Sequence, residues 1–253
     1  MIVGWLADNV ETLGGAEYDS AALQAASPWK VVPMRPGQVG PADLYVVANC
    51  VSYEPSDLPR GRIVKIVNDS WIYGSSVLRT ALLRHADLVV FRSPLHRDRF
   101  LFPVAARIEL LPSPVNLAAF RRATHRTQRQ PRAVWVAHVL SEQRAAGLRA
   151  ATRWAESRGV PLDAYGANTH GGPVSYRTLP KLLAGYEWFA HANGSFEPFG
   201  RSTVEAWAAG CKLAVAETTG ALWWIEHDPA ALEDPAARFW KLLADLVEEE
   251  VAA

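Results

Sequence analysis

The chain has 253 residues, enough for one large domain or two compact ones, and its 49% hydrophobic and 21% charged side chains describe an ordinary globular protein. Lys plus Arg and Asp plus Glu number 26 each, so the formal net charge is zero, which excludes a whole-molecule pull toward nucleic acid or an anionic membrane. No apolar run reaches the ~18 residues that span a bilayer, "MIVGWLADN" lacks a basic leader, and Cys50 and Cys211 have no metal-type spacing, so a reducing, cytoplasmic compartment is expected.

Along the chain, "MIVGWLA" predicts a first strand, "ETLGGAE" a glycine turn and "EYDSAALQAA" a helix. "DLYVVANC" and "RIVKIVND" are short, continuously apolar strands of the kind buried in parallel sheets. "SVLRTALLRHA" predicts a helix, "DLVVFRS" a strand, "PLHRDRFLF" a short helix and "RIELLPSPV" another strand. Residues 120–132, "FRRATHRTQRQPR", are polar and basic without apolar periodicity and read as a linker. The pattern then restarts with "AVWVAHV" as a strand and "SEQRAAGLRAATRWAESRG" as a helix capped by Ser141 and closed by Gly159. "PLDAYG" is a strand, "TLPKLLAGY" a helix and "EWFAHAN" a strand, and "CKLAVAE" is the last strand. "DPAARFWKLLADLVEEE" is one amphipathic helix, expected to cap the second domain, with packing back on the first as the other option.

Strands interleaved with helices mean an α/β fold. The expected division is a Rossmann-like domain over residues 1–122, a linker over 123–132, and a second Rossmann-like domain over 133–253 that ends in the helix. Ligands of open parallel sheets bind beyond the strand carboxyl ends, so a cleft between the two domains is expected to hold the site.

The stretch "SFEPFGRSTVEAWAAGCKLAV", residues 195–215, carries the chemistry. Glu197 stands on a loop and Glu205 on a helix, with Pro-Phe-Gly between them. Gly200 permits close backbone approach, Ser202 or Thr203 suits the helix start, and Gly210 closes it. Free N–H groups and the positive dipole end at such a start suit a diphosphate, and flanking carboxylates can accept hydrogen bonds from sugar hydroxyls. A nucleotide sugar is the implied ligand.

"FEPFGRSTVEAWAAGCKLAV" resembles the Glu-x7-Glu signature of retaining GT-B glycosyltransferases of the glycogen-synthase-like, family 4 type. "GGAE" is similar to their N-terminal glycine loop, "ADLVVFRSPLHRDRF" to a late N-terminal strand and helix, and "LPSPVNLAAF" to the segment that ends that domain. The likeness runs from Gly14 to about Gly220, in a chain shorter than is usual for the family. It implies two Rossmann-like domains facing across a cleft, and sugar transfer from a UDP- or GDP-sugar to a hydroxyl without a metal or other cofactor. Glu197 would bind the transferred sugar, and the backbone at Phe199 and Gly200 would approach sugar and phosphates. Glu205 would bind the ribose, and Gly14 and Gly15 would face the diphosphate. The family's Arg and Lys for the leaving diphosphate are replaced: His138 stands near the first position, Arg144 is the nearest long cation to the second, and Arg201 offers further charge. The family's "HD" pair reads Asn68-Asp69, which with Trp71 forms the acceptor side.

The acceptor is open at this level. Residues 84–132 hold ten Arg (84, 92, 97, 99, 107, 121, 122, 126, 129 and 132) against Asp87, Asp98 and Glu109. This is either a solvated Arg-rich surface or a basic face for a polyanion such as modified DNA, as phage glycosyltransferases use, with the base flipped out of the duplex. A sugar-nucleotide-binding protein without transferase activity is the rival from another class. No stable membrane insertion is expected.

Overall fold

The structure is a computed structural model that describes residues 1–7, 15–35, 37–48, 59–68, 85–100, 104–125, 127–137, 142–191 and 196–251. They form two compact units, Met1–Pro114 with Pro229–Ala253, and Val115–Asp228.

The first unit contains β1 (Ile2–Leu6), α1 (Gly15–Ala25), β2 (Lys30–Met34), β3 (Leu44–Val47), β4 (Ile63–Ile66), β5 (Leu88–Phe91), α2 (Pro94–Asp98) and β6 (Arg107–Leu110). The six strands make one sheet in the order β2-β1-β3-β4-β5-β6, every pair parallel. Every residue of β3, β4 and β5 is buried, as expected of central parallel strands covered on both faces. β2 is absent from the sequence reading because Pro33 interrupts it. It survives as an edge strand, where a missing N–H can face away from the ladder. The helix expected over "SVLRTALLRHA" lies almost wholly outside the described residues.

One sheet face buries Leu6, Tyr45, Ile63, Val89 and Phe91. The other buries Val3, Trp5, Leu44, Val64 and Leu88 against Phe239, Trp240 and Leu243. Those last three belong to the C-terminal helix, Pro235–Val251. Trp240 packs on Trp5 and Trp29 and donates its Nε1–H to the Leu23 carbonyl at 2.8 Å. The helix is therefore part of the first unit's core.

The second unit contains α3 (Leu117–Thr124), β7 (Gln130–Val136), α4 (Glu142–Ser157), β8 (Leu162–Tyr165), α5 (Leu179–Ala184), β9 (Tyr186–His191), α6 (Arg201–Ala208), β10 (Lys212–Val215) and α7 (Gly220–His227). After a 3-10 turn over Pro229–Leu232 the chain reaches α8, the C-terminal helix Pro235–Val251. The second sheet is parallel, in the order β10-β9-β7-β8.

Over residues 120–132, the described residues carry the end of a helix and the start of a strand. Asn116 caps α3 by accepting from Ala119 N–H at 3.1 Å, and the helix continues to Thr124 with Leu117 and Phe120 buried. It packs on α5 and α6. The Thr124 hydroxyl and the Arg129 guanidinium hydrogen-bond to the carbonyls that end α6, at Ala209 and Gly210. The polar run hid this because the helix's two buried anchors lie at or just before its start. Gly159 ends α4 at φ +64°, as its sequence position indicated.

Candidate functional site

The Glu-x7-Glu segment joins β9 to β10 in the second unit. Glu197 is held by its backbone in a parallel bridge to Thr219. Its N–H donates to the Thr218 carbonyl at 3.0 Å, and its own carbonyl accepts from Gly220 N–H at 2.9 Å. The Phe199 carbonyl accepts from Ala221 N–H at 2.7 Å. The start of α7 thus staples the loop that carries the first acid.

Gly200 sits at φ +84° as the N-terminal cap residue of α6. A Cβ at Gly200 would lie 2.8 Å from Thr219 Cγ2 and 3.3 Å from Glu197 Cγ, so glycine is required by conformation and by space. The helix starts at Arg201, not at Ser202 or Thr203. The left-handed glycine turns the chain directly into the helix, and Thr203 is buried in its first turn, its N–H donating to the Gly200 carbonyl at 3.0 Å.

Two side-chain groups form around this turn. In one, Arg144 of α4 lies 3.7 Å from Glu197 Oε2, a partly exposed cation beside a partly buried acid. His191, at the end of β9, is 3% exposed and stacked on Trp135 at 6.0 Å and Phe189 at 5.7 Å. Burial, then the positive charge of Arg144, lowers the His191 pKa to about 4, so the ring is neutral at pH 7.

In the other group, Glu205 is 3% exposed, and Arg201 Nε lies one helical turn away at 3.6 Å from its Oε1. Arg201 Nη2 donates to the Tyr176 hydroxyl at 2.9 Å, and the guanidinium stands 5.7 Å over the Tyr176 ring. Phe120 packs edge-on against that ring. Burial, then the nearby Glu205, pushes the Tyr176 phenol up to about 12, with Arg201 pulling the other way.

The structure therefore brings together Arg144 with Glu197, and Arg201 with Glu205, and places Phe199 and Gly200 between the two acids in the chain. Arg201, expected as a cation for the diphosphate, lies beside Glu205 and donates to Tyr176. His138 lies outside the described residues. Tyr176 and His191 are absent from the sequence reading. Tyr176 comes from the loop between β8 and α5 and carries no local signal, and His191 is hidden within the apolar run "EWFAHAN".

In the first unit, Gly15 is the first residue of α1, and Gly14, Asp69 and Trp71 lie outside the described residues. Asn68 follows β4 and accepts from Arg92 Nε through Oδ1 at 3.0 Å. Arg92 is buried and lies 3.4 Å from the buried carboxylate of Asp19. Lys65, fully buried within β4, donates to the Ala48 carbonyl.

Several described arginines of the Arg-rich stretch have partners within their own unit, mostly at the surface. Arg97 pairs with Asp98, Arg107 with Glu109 and Glu249, and Arg132 with Asp163, while Arg121 stacks on Trp207. Among the described residues no His, Cys, Asp and Glu grouping could hold a metal ion, and no helix is long and apolar enough to cross a membrane.

No protein-family model matches the chain, and no curated protein matches it. Solved structures do. HepE of Anabaena, in complex with UDP, matches over 90% of this chain and 84% of its own at 16% identity, with a TM-score of 0.64. A glycosyltransferase from Rickettsia africae matches over 89% and 81% at 11% identity, with a TM-score of 0.61. An α-glucosyltransferase in complex with UDP-glucose and DNA containing an abasic site matches over 95% and 89% at 11% identity, with a TM-score of 0.56. At these identities the likeness establishes the fold. The chain has the α/β architecture of GT-B glycosyltransferases, with two Rossmann-like units.

Proposed function

We propose that this protein is a glycosyltransferase that moves a sugar from a nucleoside-diphosphate sugar, UDP- or GDP-linked, to a hydroxyl acceptor, with retention at the anomeric carbon and no metal. The observation that carries the proposal is Glu197, its backbone stapled to the start of α7, standing beside the left-handed Gly200 turn and 3.7 Å from Arg144. The neighbour structures that hold UDP or UDP-glucose support a nucleotide-sugar donor.

In this reading Glu197 accepts hydrogen bonds from the transferred sugar and Glu205 from the ribose. The first N–H groups of α6 and the Arg144 guanidinium meet the diphosphate. The acceptor oxygen bonds to the anomeric carbon as the bond from that carbon to the phosphate oxygen breaks, and the leaving diphosphate takes the acceptor proton. Positioning and charge stabilisation then carry the rate, and no strong general base is needed. Gly14 and Gly15 complete the diphosphate side, with His138 near it. Asn68, Asp69 and Trp71 receive the acceptor, and the reaction is cytoplasmic.

The test is a panel of UDP- and GDP-sugars read by thermal shift, since a true donor stabilises the fold by mass action, followed by nucleotide release and acceptor mass. Glu197→Gln and Arg144→Met are expected to lower release by about 100-fold or more while the fold persists. A panel in which no nucleotide sugar raises the melting temperature sinks the reading. Tight UDP binding with no release over hours points to a sugar-nucleotide-binding protein without transfer. Modified DNA as the acceptor is a second reading, favoured by the α-glucosyltransferase neighbour that holds DNA.

A further inference from the structure

We infer that Arg201 and Tyr176 are positioning residues that set the Glu205 carboxylate for the ribose of the donor nucleotide, so that discrimination for a hydroxylated sugar ring is built by a side-chain triad and not by the acid alone. The inference rests on the proposed donor site and assigns Arg201 a role other than contact with the diphosphate.

The geometry carries it. Glu205 lies in α6 with its side chain almost fully buried, and a buried carboxylate needs hydrogen-bonding partners to be held there. Arg201, four residues earlier on the same face, presents Nε at 3.6 Å from Oε1. A flexible arginine would give such a pair little directional value. Here the guanidinium is fixed at two further points: Nη2 donates to the Tyr176 hydroxyl at 2.9 Å, and its plane lies over the Tyr176 ring. Tyr176 is itself held by the edge of its contact with Phe120 of α3. Its hydroxyl accepts from Arg201, which itself lies beside Glu205, and the Glu205 charge acts on the phenol, so the three side chains form one group.

A carboxylate has about four lone-pair directions. The Arg201 charge 3.6 Å from Oε1 and the Tyr176 ring beside it restrict how the carboxylate can rotate, and so decide which directions face the ligand. A ribose offers two adjacent hydroxyl donors, and a carboxylate whose rotation is blocked can accept from both without losing further side-chain freedom on binding. Arginine suits this task better than lysine, because its planar fork can address the acid and the phenol together.

Isothermal titration with UDP and with 2′,3′-dideoxy-UDP tests the inference. The wild-type protein is expected to bind UDP about tenfold or more tightly than the dideoxy compound, the size of a hydrogen bond to a charged group. Arg201→Met and Tyr176→Phe are expected to shrink that preference toward unity, chiefly by weakening UDP and leaving dideoxy-UDP nearly unchanged. Arg201→Lys, which keeps the charge beside Glu205, guards against a folding failure in the methionine variant and is expected to restore part of the preference. An ion pair that serves stability alone would lower the melting temperature and leave the ratio intact. A wild-type preference that survives undiminished in folded Arg201→Met and Tyr176→Phe overturns the inference, as does equal wild-type binding of the two compounds. The same pair in the guanine series is used if UDP does not bind. Absence of binding in both series overturns the donor-site reading and the inference with it.

Discussion

His191 occupies a strand position whose neighbours, Phe189 and Ala190, are fully buried, yet it is a titratable ring. Its folded pKa of about 4 lies below the ordinary 6.5 because burial, aided by Arg144, disfavours the imidazolium. The unfolded chain therefore binds a proton between these values while the folded one does not, and stability falls as pH drops through that window. Thermal melts from pH 6.5 to 4 should show a steeper loss for the wild-type protein than for His191→Phe, whose ring preserves the stack with Trp135. Equal slopes would mean that His191 is protonated at no cost. Cys211, by contrast, is a buried thiol pushed up to about 11 by its apolar surroundings and donating to the Leu183 carbonyl, which fits the inert role its context suggests. At this scale the turn between the two glutamates was legible because it is written in nine consecutive positions. The partners of Arg201 were not, since Tyr176 lies 25 residues upstream and only the loop after β8 brings it back.

At the scale of elements, α8 shows what amphipathicity settles and what it leaves open. The stripe of Phe239, Trp240 and Leu243 announces a helix that must bury one face. The choice of surface is a competition between sheets, and the first unit wins through Trp5, Trp29 and the Leu23 carbonyl. Trp240→Ala removes a large ring and leaves that carbonyl without its donor. Urea unfolding should show a loss of roughly 3–5 kcal/mol; a loss below about 1 kcal/mol would contradict the packing described here. β2 and α3 illustrate the complementary failure. Pro33 argues against a strand unless the strand is known to be an edge, and neighbours are a tertiary fact. The polar residues of α3 and the segment after it look like a tether because their work is to cap α6 and pair with Asp163, which lies 31 residues beyond Arg132.

At the scale of the whole molecule, the zero net charge and the fate of the arginines point the same way. Arg92, Arg97, Arg107 and Arg132 face carboxylates, Arg129 caps carbonyls, and Arg121 lies over Trp207. These partners offset part of the positive charge of that stretch, while Arg97, Arg107 and Arg132 stay partly exposed. Binding of a duplex oligonucleotide, followed by fluorescence anisotropy against salt, is expected to be weak and to show a shallow log–log slope. A slope as steep as about six to ten neutralised phosphates would produce would restore the basic-face reading and favour a DNA acceptor. The α/β class, the strand–helix alternation, the parallel buried strands and the Glu-x7-Glu turn followed from the sequence alone, because periodicity, glycine placement and acid spacing act over a few residues. The helix that completes the first unit, the burial of Arg92 beside Asp19 and the phenol that fixes Arg201 were decided only by tertiary structure. Each depends on which distant groups compete for the same buried surface, and local order along the chain does not encode that competition.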